Sequence, residues 1–221
     1  MVLEYPYYAG GEPLISNKTY QYMVNLNKRR CVQKGETFLF EGDIATHAHL
    51  IDSGWVAYYL TTEQGITRII SIVGPKRAIA VGPCLDGLPI SASVKALSDC
   101  EFLIITREEL VEAMRNDVDL GIQMVKDVNY RCRSLIEALR NYSSVKSPEE
   151  RLMNLFQALL YPGDIIEQDG WVQLPIDLTH EVIAEIIDVS RVTVSRLLAE
   201  YGKRGLIKKS RRYLLRTELF E

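Results

Sequence analysis

The stretch that decides the fold runs from Leu178 to Leu198, LTHEVIAEIIDVSRVTVSRLL, and continues through Ala199–Leu215, AEYGKRGLIKKSRRYLL. Thr179 stands before an acidic first turn and the apolar positions Val182, Ile183, Ile186 and Ile187, the pattern of a capped amphipathic helix. Ser190 opens a second helix in the same way, with Val194, Leu197 and Leu198 spaced to pack inward. Ile187, Asp188 and Val189 make the turn between them. Asp188 takes its left-handed position, which Asp tolerates better than most residues. A glycine-containing turn and two short strands dense in Lys and Arg follow. That order is a winged helix-turn-helix, which lays its second helix in the major groove of DNA.

The face of the second helix opposite Val194 and Leu198 presents Arg191, Val192, Ser195 and Arg196. A guanidinium can grip guanine O6 and N7 with two hydrogen bonds, and Val192 can meet a thymine methyl. Ser190, Thr193 and the amides at the helix start suit phosphates, and Thr179 and His180 are counted with that surface. On the wing, Lys208, Lys209, Arg211 and Arg212 are expected to touch phosphates rather than bases.

Charge distribution agrees. The 221 residues carry a net charge of only −3, yet the stretch 189–216 sets nine Lys and Arg against the single acid Glu200. A phosphate-facing surface needs such a local excess, because each neutralised phosphate releases a counterion. Leu206, Ile207, Tyr213, Leu214 and Leu215 are interleaved with the basic residues, so folded strands are expected rather than a solvated tail. No run approaches the ~18 apolar residues of a membrane span, and MVLEYPYYAGGEP lacks a signal-peptide core. The four cysteines, Cys31, Cys84, Cys100 and Cys132, show no CxxC spacing, which fits free thiols in a cytoplasmic chain.

Upstream, short β-type runs punctuated by glycine recur between Cys31 and Ile105: 37–40, 49–51, 55–60, 67–73, 91–96 and 101–105. Their regular spacing predicts a compact antiparallel sandwich or roll. Thr106 with Glu109 reads as a capping box opening a short helix. A long helix then spans roughly Val118–Asn141. Its apolar positions Val125, Val128, Cys132, Leu135, Leu139 and Tyr142 are spaced 3, 4, 3, 4 and 3 apart, an unbroken a/d seam. A second copy of the chain would cover so narrow a stripe, and burial on the chain's own β-domain is the alternative. Ile122, Met124 and Ile136 lie off the seam, free to meet that domain. The expected class is therefore α+β. An N-terminal antiparallel β-roll occupies 1–117, a long dimerisation helix 118–142, and a C-terminal winged helix-turn-helix 143–221.

These motifs together resemble the catabolite-activator / fumarate-nitrate-regulator (CRP/FNR) family of bacterial transcription factors. KGETFLFEGD (Lys34–Asp43) and LIDSGWVAYYL (Leu50–Leu60) look like its β-roll turns, a cyclic-nucleotide-binding-like jelly roll, and VSRVTVSRLL (Val189–Leu198) like its recognition helix. The resemblance covers nearly the whole chain. It implies a homodimer on a two-fold operator of double-stranded DNA, with the roll sensing a signal. It also implies contact with RNA polymerase through the loop Pro162–Gly170, whose acids Asp164, Glu167 and Asp169 make activation the favoured outcome. Many relatives carry Glu where this chain has Val192; Val cannot accept from cytosine N4, so an A·T pair is expected there.

The effector is left open. The resemblance places the family's ribose-binding Gly-Glu pair at Ala80 and Val81, and its phosphate-binding Arg at Ile90, so cyclic AMP is disfavoured. Only Cys31 lies near the N-terminus, which disfavours an iron–sulfur cluster. The expected pocket is apolar, with Ile79, Val81, Leu85, Leu88, Ile90 and Ile136, and either a small apolar effector or a filled core suits it. A haem-based sensor would draw on His47 and His49. An HxH pair can bind metal, but no second cluster completes a site, and ordinary surface or hydrogen-bonded histidines are the plainer reading. A thiol-based sensor would draw on Cys132, which could face its twin across the seam or pack as a small hydrophobe. No cofactor is assigned. Two other classes compete: a ligand-binding roll whose helix-turn-helix docks protein, against which the basic segment argues, and an enzyme, for which no nucleophile–base pair, P-loop or metal-ligand spacing is present.

Overall fold

In the computed structural model the described residues are 17–61, 65, 67–142, 147–160 and 167–220. The middle of the expected hinge and most of the loop before Gly170, Asp164 included, lie outside them. The elements run α1 (Asn17–Asn25), β1 (Arg29–Val32), β2 (Thr37–Leu39), β3 (His47–Ser53), β4 (Val56–Thr61), β5 (Thr67–Val73) and β6 (Ala78–Ile79). After these come α2 (Val81–Asp86), β7 (Ser93–Ala96), β8 (Cys100–Thr106), α3 (Arg107–Asn116), α4 (Val118–Tyr142) and α5 (Pro148–Leu160). The chain closes with β9 (Glu167–Gln168), β10 (Trp171–Gln173), α6 (His180–Ile187), α7 (Arg191–Lys203), β11 (Ile207–Lys209), β12 (Tyr213–Arg216) and a short 3-10 turn. The molecule is α+β, as expected. Among the described residues two compact units form, one from 17–60 with 71–133 and one from 61–70 with 134–220.

The first unit holds the four-stranded sheet β1-β8-β3-β6 and the strands β2, β7 and β4 of a second sheet, and every pairing given a register is antiparallel. Alternation along β3 and β8 sends one set of side chains between the sheets. There Phe38 of the second sheet lies 4.9 Å from Phe102 of the first, centroid to centroid. Ala48, Leu50, Leu103 and Ile105 point the other way and form a second core with Met23 of α1 and Leu110 of α3. Gly74 is a packing glycine, since a Cβ there would stand 2.8 Å from the Trp55 ring.

The Thr106 capping box is complete: its hydroxyl accepts from the Glu109 amide, and the Glu109 carboxylate accepts from the Thr106 amide at 3.0 Å. Two of α3's orphan donors are thereby satisfied. Asp86 and Asp99 behave as turn residues, accepting from the backbone amides of Leu88 and Lys34.

His49 is a correction. It is not a surface histidine; it is 4 % exposed, edge-on to Phe102, and its Nδ1 has no hydrogen-bond partner. Burial first, then the charges of Arg30 and His47, pulls its pKa down to about 4, so the ring is neutral. His47 instead hydrogen-bonds Thr46. Among the described residues, no three His, Cys, Asp or Glu side chains gather as a metal site, and no helix is long and apolar enough to cross a membrane.

Candidate nucleic-acid interface

In the second unit α5, α6 and α7 pack around Leu155, Phe156, Ile183, Ile187, Val194 and Leu197, and the sheet β11-β12-β10-β9 closes the unit. The caps foreseen from sequence are present. The Thr179 side chain accepts from the Val182 amide at 3.2 Å and the Ser190 side chain from the Thr193 amide at 3.1 Å. Asp188 is left-handed (φ 52°), and it turns the chain from α6 into α7. Pro148 supplies the first residue of α5, where its missing N–H costs nothing.

On α7 the side chains of Arg191, Val192 and Arg196 point outward, Val192 with 77 % of its surface open. Ser195 is half-buried and shares a 2.8 Å hydrogen bond with His180 Nδ1, so the histidine fixes the serine's orientation. Thr193 is half-buried, and its hydroxyl lies 2.9 Å from that of Ser190. Sequence reasoning missed a further contact: Arg191 Nε reaches Glu181 at 2.6 Å, both side chains remaining more than half exposed. A bond from its own backbone amide, and then Arg191, holds the Glu181 carboxyl below its usual range. Arg at the first position of α7 and Glu at the second of α6 was the only signal available.

The wing divides. Lys208 sits 3.9 Å above the Trp171 ring, and Arg216 lies 4.4 Å from the same ring, so the indole is held between two cations. Lys209, expected on phosphate, pairs with Asp177 at 2.6 Å and donates to the Leu178 carbonyl. Lys208, Lys209 and Arg211 are exposed and Arg212 is half-buried.

The long helix presents two faces. Leu120, Met124, Asp127 and Arg131 turn toward the roll, Leu120 and Asp127 buried. Val118, Ile122, Val125, Val128 and Cys132 are exposed, Val125 at 69 %. Ile122 thus departs from expectation and joins the exposed stripe. The side chains of Leu135, Ile136, Leu139 and Tyr142 lie outside the described ones.

Between α4 and the roll is a cavity of roughly 340 Å³. Leu39, Ala80, Val81, Ile90, Val94 and Met124 give it apolar walls, while Tyr58, Asp127 and Arg131 form a polar end. Three of the expected lining residues, Ile79, Leu85 and Leu88, are not there, and Leu85 packs instead against the core around Cys84. Ile79 is fully buried, because alternation along β6 turns it away from the wall that Ala78 and Ala80 form. Leu88 is 63 % exposed: Gly87 (φ 72°) ends α2 and redirects the chain outward. The polar end corrects the expectation of a wholly apolar pocket. Arg131 bonds Asp127 at 2.5 Å and the Ala78 carbonyl, and buried Arg77 lies 3.6 Å from the same carboxylate. Asp127 and Arg131 are four apart on a helix, which in sequence reads as a solvated pair.

Residues 29–117 match the family model for the cyclic nucleotide-binding domain and residues 150–218 that for the Crp-like helix-turn-helix domain. The "Anaerobic regulatory protein" of Bacillus subtilis is 25% identical over 88% of this chain and 81% of its own length. The "CRP-like cAMP-activated global transcriptional regulator" of Mycobacterium tuberculosis is 23% identical over 79% and 77%. Among solved structures, FixK2 from Bradyrhizobium japonicum superposes with a TM-score of 0.69 at 19% identity, over 87% of this chain and 95% of that one. OCPA-complexed CprK, as a cysteine-to-serine variant, gives 0.66 at 18% identity, over 94% of each chain. Those structures share the fold. With both domain models matched in this order along one chain, over the roll and the winged unit described above, the protein belongs to the CRP/FNR family of transcription regulators, with that family's helix-turn-helix DNA-binding domain.

Proposed function

We propose that this protein is a cytoplasmic homodimer that reads a two-fold operator and ties that reading to a small effector held in the roll. The observation that carries the proposal is the outward presentation of Arg191, Val192 and Arg196 from a capped helix beside a basic wing. In this reading 1–117 senses, 118–142 pairs the copies and 143–221 binds DNA. The exposed stripe Val118, Ile122, Val125 and Val128 supports pairing, because a row of open aliphatic side chains on one helix gains most from a matching row. Ser190 and Thr193 at the helix start, with Thr179, His180, Lys208 and Lys209, set register on phosphates. The acidic hairpin loop, with Glu167 and Asp169, engages RNA polymerase, and the regulator activates. The roll cavity, near the lower end of the ~300–1,000 Å³ typical of small-molecule sites, supports an effector. No catalytic step is assigned to the chain.

Selection of binding sites from random duplexes tests this directly. The expected product is a palindrome with half-site centres about one helical turn apart and an A·T pair opposite Val192. Its affinity should fall with salt by several logarithmic units per unit of log concentration. An obligatory G·C pair at that position, unmoved by Val192→Glu, defeats the assignment of Val192. Salt-independent binding, or indifference to duplex, defeats the whole.

A further inference from the structure

We propose that the effector of the roll cavity is a small carboxylic acid with an apolar body, its carboxylate bound by Arg131 and Tyr58; this rests on the effector reading above. The cavity's polarity carries the inference. Ile90, Val81, Ala92 and Val94 give the roll side of the cavity apolar walls, and the side chains it adds beyond them, Ser91 and Tyr58, carry hydroxyls and no charge. The charged groups are on α4. Asp127 lies between two guanidiniums, with 10 % of its side chain open, whereas Arg131 keeps 28 %. What the cavity offers a ligand at that end is therefore the guanidinium rather than the carboxylate.

Tyr58 adds a second polar group at the same place. Its hydroxyl lies within hydrogen-bonding reach of the Arg131 side chain and the Ala80 backbone, and burial keeps the phenol protonated by raising its pKa. A guanidinium fork and an O–H donor converging on one spot match the two oxygens of a carboxylate. A neutral amide of the same shape puts an NH₂ where one of those oxygens would be and loses the charge that pairs with the guanidinium, which cannot accept from it. The aliphatic walls take the apolar body, and shape there is less exacting than at the charged end. The acid engages Arg131 where that residue now holds the Ala78 carbonyl, at the start of the segment leading into α2. Binding thus changes the tie between α4 and β6.

Calorimetric titration of the full-length protein with phenylacetate, hexanoate and the two corresponding amides tests the assignment. At least one acid is expected to bind about tenfold or more tightly than its amide, and to raise Tm. Arg131→Gln is expected to erase that preference. Tyr58→Phe, which keeps the ring, is expected to weaken the acid several-fold, and serves if Arg131→Gln does not fold. Ala92→Leu, which fills the cavity, is expected to abolish binding of acid and amide alike. Equal affinity for acids and amides, or no binding of any of the four compounds to the wild-type chain, overturns the proposal. Both failures leave the salt dependence on duplex untouched. A chain that prefers the acid yet ignores duplex sinks instead the reading on which the proposal rests.

Discussion

His49 and Glu181 show how single side chains set conditions on the whole. The neutral His49 ring, wedged against Phe102 with its pKa near 4, is a folded-state property; in the unfolded chain it returns to about 6.5. Below pH 6.5 the unfolded chain takes up a proton that the folded chain refuses, so stability present above that pH drains away as pH falls toward 4. The loss between pH 7 and pH 5 is about 2 kcal/mol from this group alone. Urea denaturation at the two values measures it, and His49→Phe should flatten the difference; an unchanged slope in the variant removes His49 as its source. Under the proposed function, Glu181 works on binding rather than folding. It pairs with Arg191 on the face proposed to meet DNA and adds a negative charge there. Glu181→Gln should therefore bind operator about threefold more tightly. Gel-shift titration checks this, and weaker binding would mean that Glu181 orients Arg191 rather than restraining it.

At the scale of elements, the proposed pairing of two copies rests on the long helix. Its roll-facing row keeps Leu120 and Asp127 buried, while Val125 and Val128 each keep more than half of their surface open. Covering each valine gives about 1.5 kcal/mol or more, counted on both copies. Val125→Glu with Val128→Glu should leave single chains at micromolar concentration by sedimentation velocity, with operator affinity lost in parallel. A double variant that still sediments as a dimer places the interface elsewhere. Legibility in the sequence varied with the element. α6, α7 and α3 could be read because their starts are written in local chemistry: Thr179, Ser190 and Thr106 each supply the oxygen that an orphan amide needs. α2 could not, since VGPCLD puts Gly and Pro inside a helix whose first residue follows a left-handed Ala80. α1, NKTYQYMVN, has no acidic first turn, and it owes its place to Met23 packing on the roll. The polar end of the cavity was invisible for a related reason. Burial of Asp127 and Arg131 depends on which helix face meets the roll, and the 3-4 spacing of Val125, Val128 and Cys132 drew attention to the opposite face.

For the molecule as a whole, charge is partitioned. The segment from Val189 to Arg216 is strongly basic on a chain that is acidic overall, so this segment and the rest of the chain carry opposite net charge. The loop before Gly170 belongs to the acidic part, and Glu167 is exposed on its hairpin. If that loop serves transcription rather than DNA binding, the two readouts separate. Neutralising Asp164, Glu167 and Asp169 together should lower run-off transcription while operator affinity holds. Equal output from wild type and variant would assign the loop no part in activation.

Trp171, gripped between Lys208 and Arg216, has a practical corollary. The chain holds two tryptophans: Trp55 is buried in the roll's unit, and Trp171 sits on the wing. Each half thus comes with its own optical reporter. When duplex phosphates draw Lys208 or Arg216 away from the indole, the emission of Trp171 should change while that of Trp55 stays put, so wing engagement can be followed in unlabelled protein.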